Sequence, residues 1–176
     1  MKRIILMTTL LFTLINITAQ EIIATKTYTN IKIPKESFTV ITREDSISPM
    51  VAIINKSIKD FEPKEVFGWH CSVLIKCKDI VNKGMPNSEE QKVLDKFEDK
   101  LSKLIIGRGT ANAIYLGRIT WNGTREIIYL VNNPEKAATK LQALIDKKKY
   151  PREFDFSIEP DYNWDKIKWC FDAIKD

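Results

Sequence analysis

An α+β fold is predicted for this chain on three grounds. From Trp69 onward the local signals run strand, helix, strand, strand, helix, strand, helix. Asn122-Gly123 joins the two central strands, and this dipeptide is the strongest short signal for a hairpin turn, because both turn positions need positive φ. Both faces of that hairpin are mainly apolar, so both need cover.

The elements follow in order. Ser37 to Arg43 and Met50 to Asn55 are short β-type runs separated by Glu44-Asp45-Ser46 and Pro49, a hairpin pattern. Residues 20–36, Thr- and Lys-rich, read as a tail or a loose edge strand, and Asp60 to Gly68, with Pro63, reads as a loop. Trp69, Cys71, Val73, Ile75 and Cys77 alternate with His70, Ser72, Leu74 and Lys76, which makes a strand with one strongly apolar face. Ser88 as N-cap with Gln91 three residues later is a capping box, and Glu89 and Glu90 add two acids to the first turn. Leu94, Phe97, Leu101, Leu104 and Ile105 then recur at helical spacing until Gly107.

Ala113 to Trp121 and Thr124 to Val131 are the hairpin strands. A two-residue loop pairs Trp121 with Thr124, Thr120 with Arg125, Arg118 with Ile127 and Leu116 with Tyr129. One face then carries Ile114, Leu116, Arg118, Arg125, Ile127, Tyr129 and Val131, and the other carries Tyr115, Gly117, Ile119, Trp121, Glu126, Ile128 and Leu130. Asn133-Pro134-Glu135 opens a second helix with N-cap, first-position proline and first-turn acid, and Ala138, Leu141, Leu144 and Ile145 form its stripe. A strand from Glu153 to Glu159 follows. A last helix from about Trp164 puts Trp164, Ile167, Phe171 and Ile174 on one face. The order spells a ferredoxin-like split βαβ (βαββαβ) sandwich, with an N-terminal β-hairpin extension and a C-terminal helix over part of the second sheet face.

Lys2 and Arg3 precede an uncharged run, Ile4 to Thr18, that ends at Ala19-Gln20. This is the pattern of a cleavable signal peptide over residues 1–19. The run of about 15 residues is shorter than the roughly 20 that span a bilayer. The expectation is an exported protein, periplasmic or secreted, with no stable membrane insertion after cleavage. The absence of cysteine near the cut argues against a lipid anchor. What remains, residues 20–36 and 37–176, suits a tail and a single α+β domain.

Removing Lys2 and Arg3 with no acid lowers the formal charge of +5 by two, and so modest a balance argues against nucleic acid as a partner. Lys147-Lys148-Lys149 with Arg152 sits where a helix should end, and cations there complement the helix dipole. Cys71, Cys77 and Cys170 are odd in number. Cys71 and Cys77 lie on one strand roughly 20 Å apart, so any bridge would involve Cys170. Three small buried hydrophobes is the simpler expectation.

The chemistry is sparse. His70 is the single histidine, and it points away from Cys71 in a strand, so a zinc set does not assemble. No nucleophile elbow, phosphate loop or paired-histidine metal motif is present. No catalytic residue, metal ligand or cofactor is assigned. Arg118, Arg125, Glu126 and Tyr129 bring polar groups into a two-sided apolar sheet. Either they mark a ligand or catalytic pocket, or they sit near Asn122-Gly123 where water reaches them; the second is the ordinary expectation. Trp164 fits the core stripe of the last helix, and Trp169 falls off it as an interface candidate.

Three groups of residues carry a resemblance: Gly84-Met85-Pro86-Asn87-Ser88-Glu89-Glu90 running into Phe97-Glu98-Asp99-Lys100-Leu101; Tyr115-Leu116-Gly117-Arg118 through Gly123-Thr124-Arg125-Glu126 to Tyr129; and Asp161-Tyr162-Asn163-Trp164. In order and spacing, from about Phe38 to Phe171, the chain resembles the bacterial domain of unknown function 695 family. Phe38 stands where that family usually has Trp, and Ile167 where it usually has an aromatic. The family is similar in layout to the ribonuclease E inhibitor B group of cytoplasmic regulators, which implies a compact module that works by contact. The leader separates this chain from that target. The expected function is therefore a non-enzymatic interaction module with an envelope or extracellular protein as partner. The alternative is a small-molecule binder or carboxylate-dependent hydrolase with its pocket near Arg118, Arg125 and Tyr129. Arg118, Arg125, Glu126, Tyr129, Asp161, Trp164 and Trp169 are the candidate binding residues.

Overall fold

A computed structural model of the chain describes residues 31–44, 49–108 and 111–174. The expected signal peptide over residues 1–19 and Asp45-Ser46-Ile47 lie outside the described residues. All elements below belong to the unit Ile33–Asp176. Among the described residues, six strands and three α-helices run in the order β1 (Phe38–Arg43), β2 (Met50–Asn55), β3 (Trp69–Lys76), α1 (Ser88–Ile106), β4 (Ala113–Trp121), β5 (Thr124–Val131), α2 (Pro134–Asp146), β6 (Phe154–Pro160) and α3 (Lys168–Asp172). The strands form one antiparallel sheet in the order β1-β2-β4-β5-β3-β6. The α+β class is thus observed. β1 and β2 pair as a hairpin, and β2 adds it to the free edge of β4. Residues 31–37 form no strand.

Two apolar layers flank the sheet. On one face Cys71, Val73, Ile75 and Cys77 meet Phe97, Leu101 and Ile105 of α1 and Ala137 and Leu141 of α2. On the other, Ile119, Ile128 and Leu130 are buried, as are Phe61, Phe67, Trp164, Ile167 and Phe171 from the segments before β3 and after β6. The cysteines are all buried free thiols, and burial pushes Cys71 and Cys170 up to about 12. They behave as small hydrophobes rather than reactive groups.

Three local expectations are corrected. The N-cap of α1 is Asn87, not Ser88: its side chain accepts from the Glu90 amide at 2.8 Å, while Gln91 donates to the Pro86 carbonyl. Both residue types cap well, and Asn87 sits one position earlier. The C-terminal helix does not run from Trp164. Trp164 takes a left-handed conformation, a 3-10 turn spans Asp165–Ile167, and only Lys168–Asp172 is α-helical.

The third correction is the register of the central hairpin. Trp121 pairs with Thr124, Thr120 with Arg125 and Arg118 with Ile127, as the Asn122-Gly123 turn requires. Beyond Gly117↔Ile128 the ladder shifts, and Tyr115, not Leu116, stands opposite Tyr129. Leu116 is the extra residue of a β-bulge. Gly117 beside it has φ 156°, and a Cβ there would lie 2.1 Å from the Ile53 carbonyl oxygen of β2. The close approach of β2 demands glycine, and the bulge turns Tyr115 and Ala113 onto the helix-covered face.

Candidate functional site

The bulge assembles a polar cluster between α1 and the sheet. α1 presents Asp95, Glu98 and Ser102 at steps of three and four residues, so they share a side of the helix. β4 presents Tyr115 and Arg118, and β5 presents Arg125 and Tyr129. Arg118 Nη1 lies 3.0 Å from Asp95 Oδ1 and 3.0 Å from Glu98 Oε2. Arg125 Nη1 lies 2.6 Å from the same Asp95 oxygen and 3.4 Å from the same Glu98 oxygen. The Tyr115 hydroxyl donates to Glu98 Oε1, and the Tyr129 and Ser102 hydroxyls share a bond of 2.9 Å.

Burial grades across the cluster. The Arg125 side chain is 4% exposed, Glu98 10%, Arg118 25% and Asp95 50%. Arg125 Nε is buried with no hydrogen-bond partner among the described residues. The expectation that water reaches these charges at the hairpin end is therefore overturned for Arg125, which lies under α1. Two cations face two carboxylates, so the charge balances, which is what makes burial tolerable. Burial works against the charged form of Arg118, but Glu98 and Asp95 outweigh it and hold the guanidinium more firmly protonated. Burial, with the negative charge of Glu98, raises Tyr115 far above its ordinary value, so its phenol is a fixed donor. Tyr129 is raised chiefly by burial.

The remaining candidates do not join this cluster. Glu126 lies on the opposite face and accepts from Ser72 Oγ at 2.5 Å. His70 is on that face too; burial lowers its pKa, and Glu126 and Asp161 oppose the shift. Asp161 is a turn clamp: its two carboxylate oxygens accept from the Asp165 and Lys166 amides at 2.8 and 3.1 Å. Trp164 is core. Its ring stacks on Phe61 at 5.6 Å and its indole N–H donates to the Phe67 carbonyl at 3.1 Å. Trp169 is exposed, as its place off the stripe implied. Arg152 leaves the lysine run and forks onto Glu90 of α1, with Nε 2.8 Å from Oε1 and Nη2 2.6 Å from Oε2.

Sequence reasoning missed Asp95, Glu98, Ser102 and Tyr115. The helical residues border the apolar stripe of α1, where local sequence carries no signal that separates a solvated acid from a buried one. Strict alternation along β4 puts Tyr115 on the opposite side of the sheet, although a glycine inside a strand, Gly117, is a recognised sign of a bulge. A cavity of about 580 Å³ opens at the Asn122-Gly123 end between Leu74, Cys77, Ile80 and Phe154, and none of its lining residues belongs to the cluster. Among the described residues no group of three His, Cys, Asp or Glu side chains could hold a metal ion, and no helix is long and apolar enough to cross a membrane.

The model of DUF695, described as a family of unknown function, matches residues 44–168. Among curated proteins and among solved structures, nothing matches the chain.

Proposed function

This chain belongs to the DUF695 family, and from the buried charges that its fold retains we propose that it is a small-molecule-binding protein whose ligand engages the Arg118–Arg125–Asp95–Glu98 cluster. One observation carries the reading: a charge-balanced set of two arginines and two carboxylates is held under α1, with Arg125 and Glu98 nearly buried and Asp95 and part of Arg118 open to solvent. Buried ion pairs contribute little to stability that apolar packing would not supply better. Their presence here is better accounted for by recognition. Both carboxylates face arginines, an arrangement suited to holding charge rather than to moving protons, so we favour binding over hydrolysis.

A thermal-shift screen of chemically varied small molecules tests this. Compounds that raise the melting temperature of the wild-type protein should lose that effect in R118Q and E98Q but keep it in W169A. Hits indifferent to R118Q and E98Q would sink the proposal.

A second reading, an exported interaction module, is supported by the exposed Trp169 and Tyr162. Capture of an envelope partner by wild type but not by W169A would favour it. Export itself, with cleavage near Ala19-Gln20, is proposed on the charged start and apolar run of the leader. We also propose that β3 to β6 form a ferredoxin-like unit. The order β6-β3-β5-β4, with both crossover helices on one face, supports this.

A further inference from the structure

Resting on the ligand-binding reading above, we infer that the ligand is a monocarboxylate with an apolar tail, whose carboxylate replaces that of Asp95 between Arg118 and Arg125. Four observations converge. Asp95 Oδ1 bridges the two arginines more tightly than Glu98 Oε2 does, at 3.0 and 2.6 Å against 3.0 and 3.4 Å, and Asp95 is the most exposed of the four charged residues. It can swing into solvent. Glu98, nearly buried and held by the Tyr115 hydroxyl, cannot do so without leaving that hydroxyl unpaired.

The charge count follows. With Asp95 withdrawn, two guanidinium groups face one carboxylate, which leaves a single positive charge. A monocarboxylate restores neutrality, a doubly charged anion overshoots in a half-buried site, and a cation is repelled. The arginines also have donors to spare. Asp95 offers both of them the same oxygen, and Arg125 Nε is buried and unpartnered among the described residues. A planar carboxylate can offer two oxygens to an arginine fork.

The tail is assigned by what adjoins the cluster on the same sheet face. Ile53 stands opposite Arg118 across β2 and β4, and Val40 stands opposite Ile53 across β1 and β2; directly paired residues share a face. Val40 is 61% exposed and Phe38 44%, and the Phe38 ring lies 5.8 Å from that of Tyr115. The hairpin extends the sheet beyond the reach of α1 and leaves an apolar shelf whose inner end is the arginine pair. A chain or ring of carbon laid along Phe38, Val40 and Ile53 would leave water there while its carboxylate enters the cluster.

Octanoate, octyltrimethylammonium and acetate are the probes, titrated calorimetrically and by the Nε–H resonance of Arg125 in the full mature chain. Octanoate should bind and shift that resonance. Octyltrimethylammonium should not, and acetate should bind weaker by on the order of tenfold or more, since it lacks the apolar burial. D95N, at a half-exposed position, should tighten octanoate by removing its competitor, and V40E should weaken it. Equal binding of octanoate and octyltrimethylammonium, or unchanged octanoate affinity in folded D95N, would overturn the inference. If screening hits bind through Arg118 while octanoate does not bind, the carboxylate assignment fails and the binding site stands. If R118Q and E98Q alter the binding of no compound, both fail.

Discussion

Tyr115 stands directly opposite Tyr129 across β4 and β5, their rings 5.7 Å apart and edge to face, because Leu116 bulges out of the ladder. That single extra residue places the Tyr115 hydroxyl on Glu98 rather than on the opposite face of the sheet. Without it, Glu98 would lose its neutral donor.

Gly117 is the hinge of this arrangement. In G117A the new Cβ meets a backbone oxygen of β2 at 2.1 Å, and no side-chain rotation relieves the clash. We expect G117A to destabilise by more than about 3 kcal/mol and to raise hydrogen exchange in β1 and β2 before the rest of the sheet. Denaturant unfolding and amide exchange would check this; a loss under about 1 kcal/mol would contradict the packing described.

Glu98 and Asp95 contact the same two arginines, but burial separates their roles. E98Q leaves buried Arg125 with a single, solvent-facing carboxylate, and should cost about 3 kcal/mol. D95N loses a half-exposed, solvent-screened partner and should cost about 1 kcal/mol or less. Chemical denaturation of the two variants side by side decides the matter, and equal losses would mean that the cluster is not graded as described.

Acid stability should depend on Glu90. Its hydrogen bonds with Arg152, against the cost of burial, hold its carboxyl below the ordinary value of 4.5. A depressed carboxylate contributes stability that is fully present above that value and is lost as the pH falls through the folded one. The wild-type melting temperature should therefore drop on acidification below about pH 4.5, and E90Q should show a shallower drop from a lower plateau. R152A, which leaves a fully buried carboxylate without its partner, should cost about 3 kcal/mol at neutral pH. Parallel melting curves of wild type and E90Q between neutral and acid pH would refute the assignment.

The two C-terminal tryptophans should differ sharply. W164A removes a buried ring stacked on Phe61 together with its hydrogen bond to Phe67, and should cost about 4 kcal/mol. W169A removes a largely solvated ring and should change stability by about 0.5 kcal/mol or less. Urea midpoints would show it, and a large loss in W169A would mean that this ring is packed.

The sequence by itself determined the elements whose signals are local. Asn122-Gly123 set the hairpin turn, with positive φ at both positions; Asn133-Pro134 opened α2; Gly107 closed α1; and the alternation from Trp69 to Cys77 defined β3 and its buried face. Each follows from backbone sterics or from a periodicity of two or about four residues, which neighbours in the chain suffice to express. Tertiary structure decided the rest. The need for glycine at 117, beside the bulge at Leu116, arises because β2 crosses so close that a side chain cannot fit, and β2 lies more than sixty residues upstream. Asp95 and Glu98 became partners of Arg118 and Arg125 only when α1 crossed over the sheet, since an acidic helix face reads the same whether it meets water or buried guanidinium groups. Charge pairing acts through space at a few ångströms, and the arginines lie twenty to thirty positions along the chain from the carboxylates they pair with.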